Sequence, residues 1–194
     1  MTTRLFDTLG FSPAYACEVD PEFPSTGDWG DPHHGFQCDG TTSEPFRSRW
    51  GTPLTVRFAP ATTGRWVGSF EAGGTHGLTS VFACPAPTAA LVVCGGQPYL
   101  VDVAAPARSA VLSLPSVTQV CRVQDAHLIV LATISSLAAI SRSGLAWESQ
   151  RLYWTYLRVR EATLQGLRCV GYSFGGEMEE FIVDPRTGSR SQDA

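Results

Sequence analysis

The sequence predicts an all-β, predominantly antiparallel fold, and three observations carry that expectation. From Leu54 onward the chain breaks into short runs rich in β-branched and aromatic residues: LTVRFA, RWVGSFE, LTSVFAC, ALVVCG, YLVDV, AVLSL, VTQVCRV and HLIVLA. Runs of about 4 to 8 such residues are strand-sized. Gly and Pro separate them at short intervals, as antiparallel turns require. Apolar strand pairs also recur at a nearly constant spacing.

The first fifty residues have a different texture. VDPEFPSTGDWGDPHHGFQCDGTTSEP is dense in Pro, Gly, Asp and Ser, which favours turns because Pro lacks an amide donor and Gly adds backbone freedom. Residues 1–50 therefore read as an irregular arm packed by Trp29, Phe36, Phe46 and Trp50 onto a β-repeat domain of residues 51–194. Within that domain only ESQRLYWTYLRVREATLQGL has any helical character. The alternation of Leu157 and Val159 with Arg158 and Arg160 favours a strand through its middle.

Three segments resemble one another: ALVVCG…LVDV, HLIVLA…LAAI and GLRCVG…FIVD each read as a buried strand, a connection and a second strand. Ala90, Leu128 and Leu167 superpose at intervals of 38 and 39 residues. A period near 40 suits β-units that stack on neighbours to bury a second face. LAAISRSGLAWES, with its Gly144 turn followed by Trp147, resembles the strand-turn-strand core of quinoprotein-like β-propeller repeats. The resemblance spans residues 89–188. It implies a small or partial propeller, or stacked hairpins, since the GH and WD dipeptides of WD40 repeats are absent and 194 residues supply only four or five such units.

Inventory narrows the chemistry. All 14 basic residues are Arg, and the chain has neither Lys nor Asn, which excludes P-loop, Schiff-base and Ser-Lys enzymes. The net charge of -4 comes with dispersed basic residues, so no nucleic-acid footprint is expected. The longest apolar run, Leu128 to Ile140, is too short and too polar to span a bilayer. The opening MTTRLFDTLGFSPAYACEVD lacks the apolar core of a signal peptide, and the chain reads as cytoplasmic. Cys17, Cys38, Cys84, Cys94, Cys121 and Cys169 lack C-x-x-C spacing and read as reduced, mostly buried thiols.

Two constellations invite a catalytic reading. GYSFGG, Gly171 to Gly176, matches the G-x-S-x-G of serine hydrolases, which needs a helix directly after the serine and an acid and a His downstream. Here FIVDPRTG follows, and His33, His34, His76 and His127 all lie upstream, so the stretch reads as a long hairpin loop. DPHHGFQCDG gathers Asp31, His33, His34, Cys38 and Asp39, a donor set that transition metals favour. Without a second ligand pair it reads as a surface loop, with a metal site as the competing reading.

The function expected from these residues is a non-enzymatic, cytoplasmic binding or scaffolding module that recognises a protein partner and needs no cofactor. A metal-dependent or serine hydrolase is the alternative. Aromatic residues and Arg in loops on a rigid sheet frame offer large contact area at small entropic cost. The candidate contact residues are Trp29, His33, His34, Phe36, Arg142, Trp147, Tyr172 and Phe174.

Overall fold

The computed structural model describes residues 6–41, 46–74 and 77–191. It is all-β with mainly antiparallel sheets, and among the described residues there is no α-helix. Two compact units divide the chain, Met1–Ser116 and Val117–Ala194.

The first unit contains β1 (Phe6–Asp7), β2 (Tyr15–Val19), β3 (His33–Phe36), β4 (Leu54–Pro60), β5 (Trp66–Phe70), β6 (Ser80–Ala83), β7 (Ala89–Cys94), β8 (Gln97–Asp102), a 3-10 turn at Pro106–Arg108, and β9 (Ala110–Val111). One sheet has the order β1-β6-β7-β8-β9 and the other β2-β4-β5-β3. Alternation sets the inward face of β4: Leu54, Val56 and Phe58 are buried, while Thr55 and Arg57 are partly exposed. β7 is buried almost throughout, the composition expected where both faces of a strand are covered. The core joins Phe58 and Trp66, their ring centroids 4.6 Å apart, with Phe70 and Tyr99. The Trp66 indole N–H donates to the Val103 carbonyl at 2.9 Å, so its polar edge is satisfied within the apolar interior.

Residues 1–50 are less irregular than their composition suggests. Turns do fill the stretch between β2 and β3, yet β2 pairs antiparallel with β4 and β3 pairs parallel with β5. The physical reason is tertiary: β4 and β5 present backbone edges that even modest β-formers can satisfy.

A two-residue hairpin joins β7 to β8, with Cys94 opposite Gln97. Gly95 and Gly96 both have positive φ, 53° and 82°, the backbone that the right-handed twist of a hairpin demands. Any Cβ on Gly96 would collide with Ser116. Gly96→Ala is therefore expected to destabilise the first unit by about 2 kcal/mol through combined strain and clash. Urea denaturation checks it, and an unchanged midpoint would refute it.

The second unit contains β10 (Val117–Arg122), β11 (Ile129–Thr133), β12 (Leu137–Ser141), β13 (Gly144–Glu148), β14 (Thr155–Thr163), β15 (Gly166–Tyr172) and β16 (Met178–Val183). Its sheets run β10-β11-β12-β13 and β14-β15-β16, each strand antiparallel to the next in sequence. Residues of both sheets form one core, including Val130, Ala132 and Leu137 with Leu157, Leu167, Cys169 and Phe181. β14 settles the ambiguous stretch as strand: Leu157 and Val159 are buried, Arg158 and Arg160 exposed. Where β10 meets β14, the Gln119 side chain acts as a surrogate peptide. Its Nε2 donates to the Val159 carbonyl at 2.8 Å, and its Oε1 accepts the Val159 N–H at 3.0 Å.

Candidate interaction surface

GYSFGG lies at the β15–β16 hairpin. Tyr172 pairs with Met178 across the ladder, leaving a five-residue connection, Ser173 to Glu177. The Ser173 N–H donates to the Glu177 carbonyl at 2.8 Å, and Ser173 Oγ accepts the Glu177 N–H at 3.3 Å. An antiparallel strand follows this serine, so the strand-turn-helix frame that would activate a nucleophile is not formed here.

The histidine-rich loop is dispersed by the sheet. Asp31 faces Arg57 and Arg65 at 3.4 and 3.6 Å. His33 Nε2 lies 2.9 Å from Ser69 Oγ. His34 meets the Trp66 ring at 5.4 Å in an edge geometry. Asp39 takes an Arg49 ion pair at 2.8 Å. Among the described residues no group of three His, Cys, Asp or Glu side chains is placed to hold a metal ion.

Cys38 belongs to another cluster, centred on fully buried Glu71. Glu71 Oε2 accepts the Cys38 N–H at 2.9 Å and Arg49 Nη2 at 3.2 Å, while Oε1 accepts the Arg49 N–H at 2.6 Å. The Tyr99 hydroxyl donates to the Glu71 carbonyl at 2.7 Å. Burial pushes the Glu71 carboxyl up, but the Arg49 guanidinium and the two amides outweigh it and hold it below its ordinary 4.5. Sequence reasoning missed this carboxylate, which closes RWVGSFE and looks like an ordinary polar strand end.

All six cysteines are free. Burial pushes the thiols of Cys17, Cys84 and Cys169 up to about 12 and Cys121 to about 11. Cys38 is also raised, by burial first. Thiols in that range stay protonated at neutral pH and make poor nucleophiles.

The eight candidate contact residues separate into three places. Trp29 and His33 line a cleft of about 560 Å³ in the first unit, together with Phe23, Phe46 and Asp31. Arg57 lies over the Trp29 ring at 5.7 Å. Phe36 departs from its expected role: it is buried and stacked on Phe70 at 4.7 Å, because β3 turns this ring into the core. In the β12–β13 hairpin Arg142 is exposed. Trp147 instead packs over Gly188 and donates its indole N–H to the Pro185 carbonyl at 2.9 Å, which is a structural contact.

Tyr172 and Phe174 form the third place, where two residues the sequence reading passed over join them. Phe174 is 83% exposed and Trp154 52% exposed, with rings 5.0 Å apart in an edge-to-face pair. Tyr156 lies 5.5 Å from Tyr172, and Met178 is exposed beside them on β16. Arg151 covers the Trp154 ring at 5.1 Å, and Arg158 covers Tyr156 at 4.8 Å. Trp154 and Tyr156 sit at even positions between buried Tyr153 and Leu157, Trp154 just before β14 and Tyr156 within it, and both are exposed, as Arg158 is.

Among the described residues no helix is long and apolar enough to cross a membrane. No family model, curated protein or solved structure matches the chain, and its function is read from its own residues.

Proposed function

We propose that this chain is a cytoplasmic binding or scaffolding module that recognises a protein partner without catalysing a reaction. The observation that carries the reading is the Trp154–Phe174 pair, two large rings packed edge to face in solvent instead of in the core. Exposed aromatics flanked by Arg are the composition of interface anchors. They stand on a strand end and a hairpin tip of a three-stranded sheet, a frame that limits the ordering cost of binding.

The architecture that presents them is proposed as a series of units of about 40 residues. β7 and β8, β11 and β12, and β15 and β16 coincide with the three similar sequence segments. In each case a preceding strand extends the meander. Stacked hairpins or a partial propeller would account for this spacing.

Affinity purification from the native host tests the function. Wild type is expected to retain a reproducible partner, and Trp154→Ala and Phe174→Ala each to reduce its recovery at least tenfold, as loss of an interface anchor does. No reproducible partner, or recovery indifferent to both substitutions, would end the reading.

A further inference from the structure

Resting on that reading, we infer that the partner presents an acidic peptide segment whose carboxylate enters a cleft beside the aromatic pair. The cleft has a volume of about 480 Å³ and is lined by Arg151 and Arg190, the hydroxyl residues Ser149, Thr187 and Ser189, and Glu148.

Both arginines lie over aromatic rings. Arg151 lies over Trp154 at 5.1 Å, and Arg190 lies over Phe181 at 4.8 Å and Tyr153 at 5.7 Å. A guanidinium stacked by its face keeps its N–H edge for in-plane acceptors, which is the geometry of a bidentate carboxylate contact. Among the described residues no carboxylate pairs with Arg151. The Arg190 carboxylate contact among the described residues is a long one, 3.9 Å to Glu179, which also accepts the Tyr153 hydroxyl. Arg151 thus belongs to both features, lying over the Trp154 ring and lining the cleft. A peptide with an apolar side chain near an Asp or Glu would engage both.

The charge balance selects the acid. The lining of the cleft carries two arginines against one carboxylate, Glu148, a net of one positive charge, and Glu179 lies outside that lining. A single carboxylate charge is compensated there, whereas the second charge of a phosphate would meet Glu148. Hydroxyls of Thr187 and Ser189 suit either oxyanion and do not distinguish them, while the Ser149 hydroxyl already donates to the Gln150 carbonyl at 2.8 Å.

The test is a nitrogen-15 NMR titration of the full chain with acetyl-Phe-Ala-Glu-Glu-amide, its Gln-Gln counterpart, and the counterpart carrying one phosphoserine in place of the first Glu. Saturable shifts of the Arg151 and Arg190 Nε–H resonances are expected with the acidic peptide, with at least tenfold weaker binding of the Gln-Gln peptide. Arg151→Gln is expected to weaken the acidic peptide by a similar factor, Arg151→Lys by less, and Arg160→Gln, outside the cleft, not at all. A well-dispersed spectrum of each variant separates lost binding from lost fold. Equal binding of the Gln-Gln peptide, absence of saturable shifts, or tighter binding of the phosphoserine peptide would overturn the proposal. The two readings fail separately. Arginine shifts with a still Trp154 indole and partner recovery indifferent to Phe174→Ala would sink aromatic docking alone, whereas Trp154 shifts identical for acidic and Gln-Gln peptides would sink the carboxylate cleft alone.

Discussion

Glu71→Ala is expected to destabilise the first unit by about 3 kcal/mol, the range for removing one partner of a buried hydrogen-bonded charge cluster. The loss comes from several groups together. The Cys38 and Arg49 amides lose their acceptor, the Arg49 guanidinium loses one of its carboxylates, and a void replaces a side chain that had no solvent exposure. Glu71→Gln keeps the volume and an acceptor, so it should cost less and reveal the charge itself. The Glu71 carboxyl is held below 4.5 in the folded protein. Its stabilising contribution is therefore fully present above the ordinary carboxyl range and is lost as pH falls through the folded value. The stability gap between wild type and Glu71→Gln should narrow on acidification from pH 7 toward that value. Urea titrations at a series of pH values check this, and a gap independent of pH would refute it.

Phe58→Ala is expected to cost about 4 kcal/mol, because truncating a fully buried aromatic ring loses its transfer energy and leaves a cavity. Phe58 has no exposed surface and packs between Trp66 at 4.6 Å and Tyr15 at 6.0 Å. The tryptophan contact provides the readout. Denaturation followed by fluorescence should shift its midpoint strongly, whereas Phe58→Leu, which keeps most of the volume, should recover a large part of the loss. A midpoint within experimental error of wild type for Phe58→Ala would contradict the packing described.

The strands of residues 54–183 were legible from two signals: burial alternates along β4 and the middle of β14, and β5, β7, β11 and β12 are short, continuously buried apolar runs. Leu54, Val56 and Phe58 against Thr55 and Arg57 specify a face before any partner is known, and Leu157 and Val159 against Arg158 and Arg160 decide strand over helix. β2 carries the same signal, with Tyr15, Cys17 and Val19 on one parity, but the surrounding Pro and Gly obscured it. β3 had no such signal: His33–Phe36 is a strand because β5 supplies an edge. This also explains why Phe36 faces the core when its neighbours in sequence suggest a loop. The Glu71 cluster was illegible, since its partners Cys38, Arg49 and Tyr99 come from separate segments that only tertiary folding brings together. Half of the aromatic surface was read in Tyr172 and Phe174. Trp154 and Tyr156 were not legible from alternation, because Trp154 stands before β14 and Tyr156 has a positive φ of 59° where the register shifts.

The Gln119 bridge bears on how the chain behaves in a crowded solution. β14 lies at the margin of its sheet, and a nine-residue strand there offers a template on which another chain could extend. By engaging both the N–H and the carbonyl of Val159, one side-chain amide occupies the middle of that template without lengthening the sheet. Two register shifts in β14, one between Thr155 and Arg158 and one between Val159 and Glu161, break the regularity that a foreign strand would need. Along this stretch β14 therefore offers no regular backbone edge on which a foreign strand could pair.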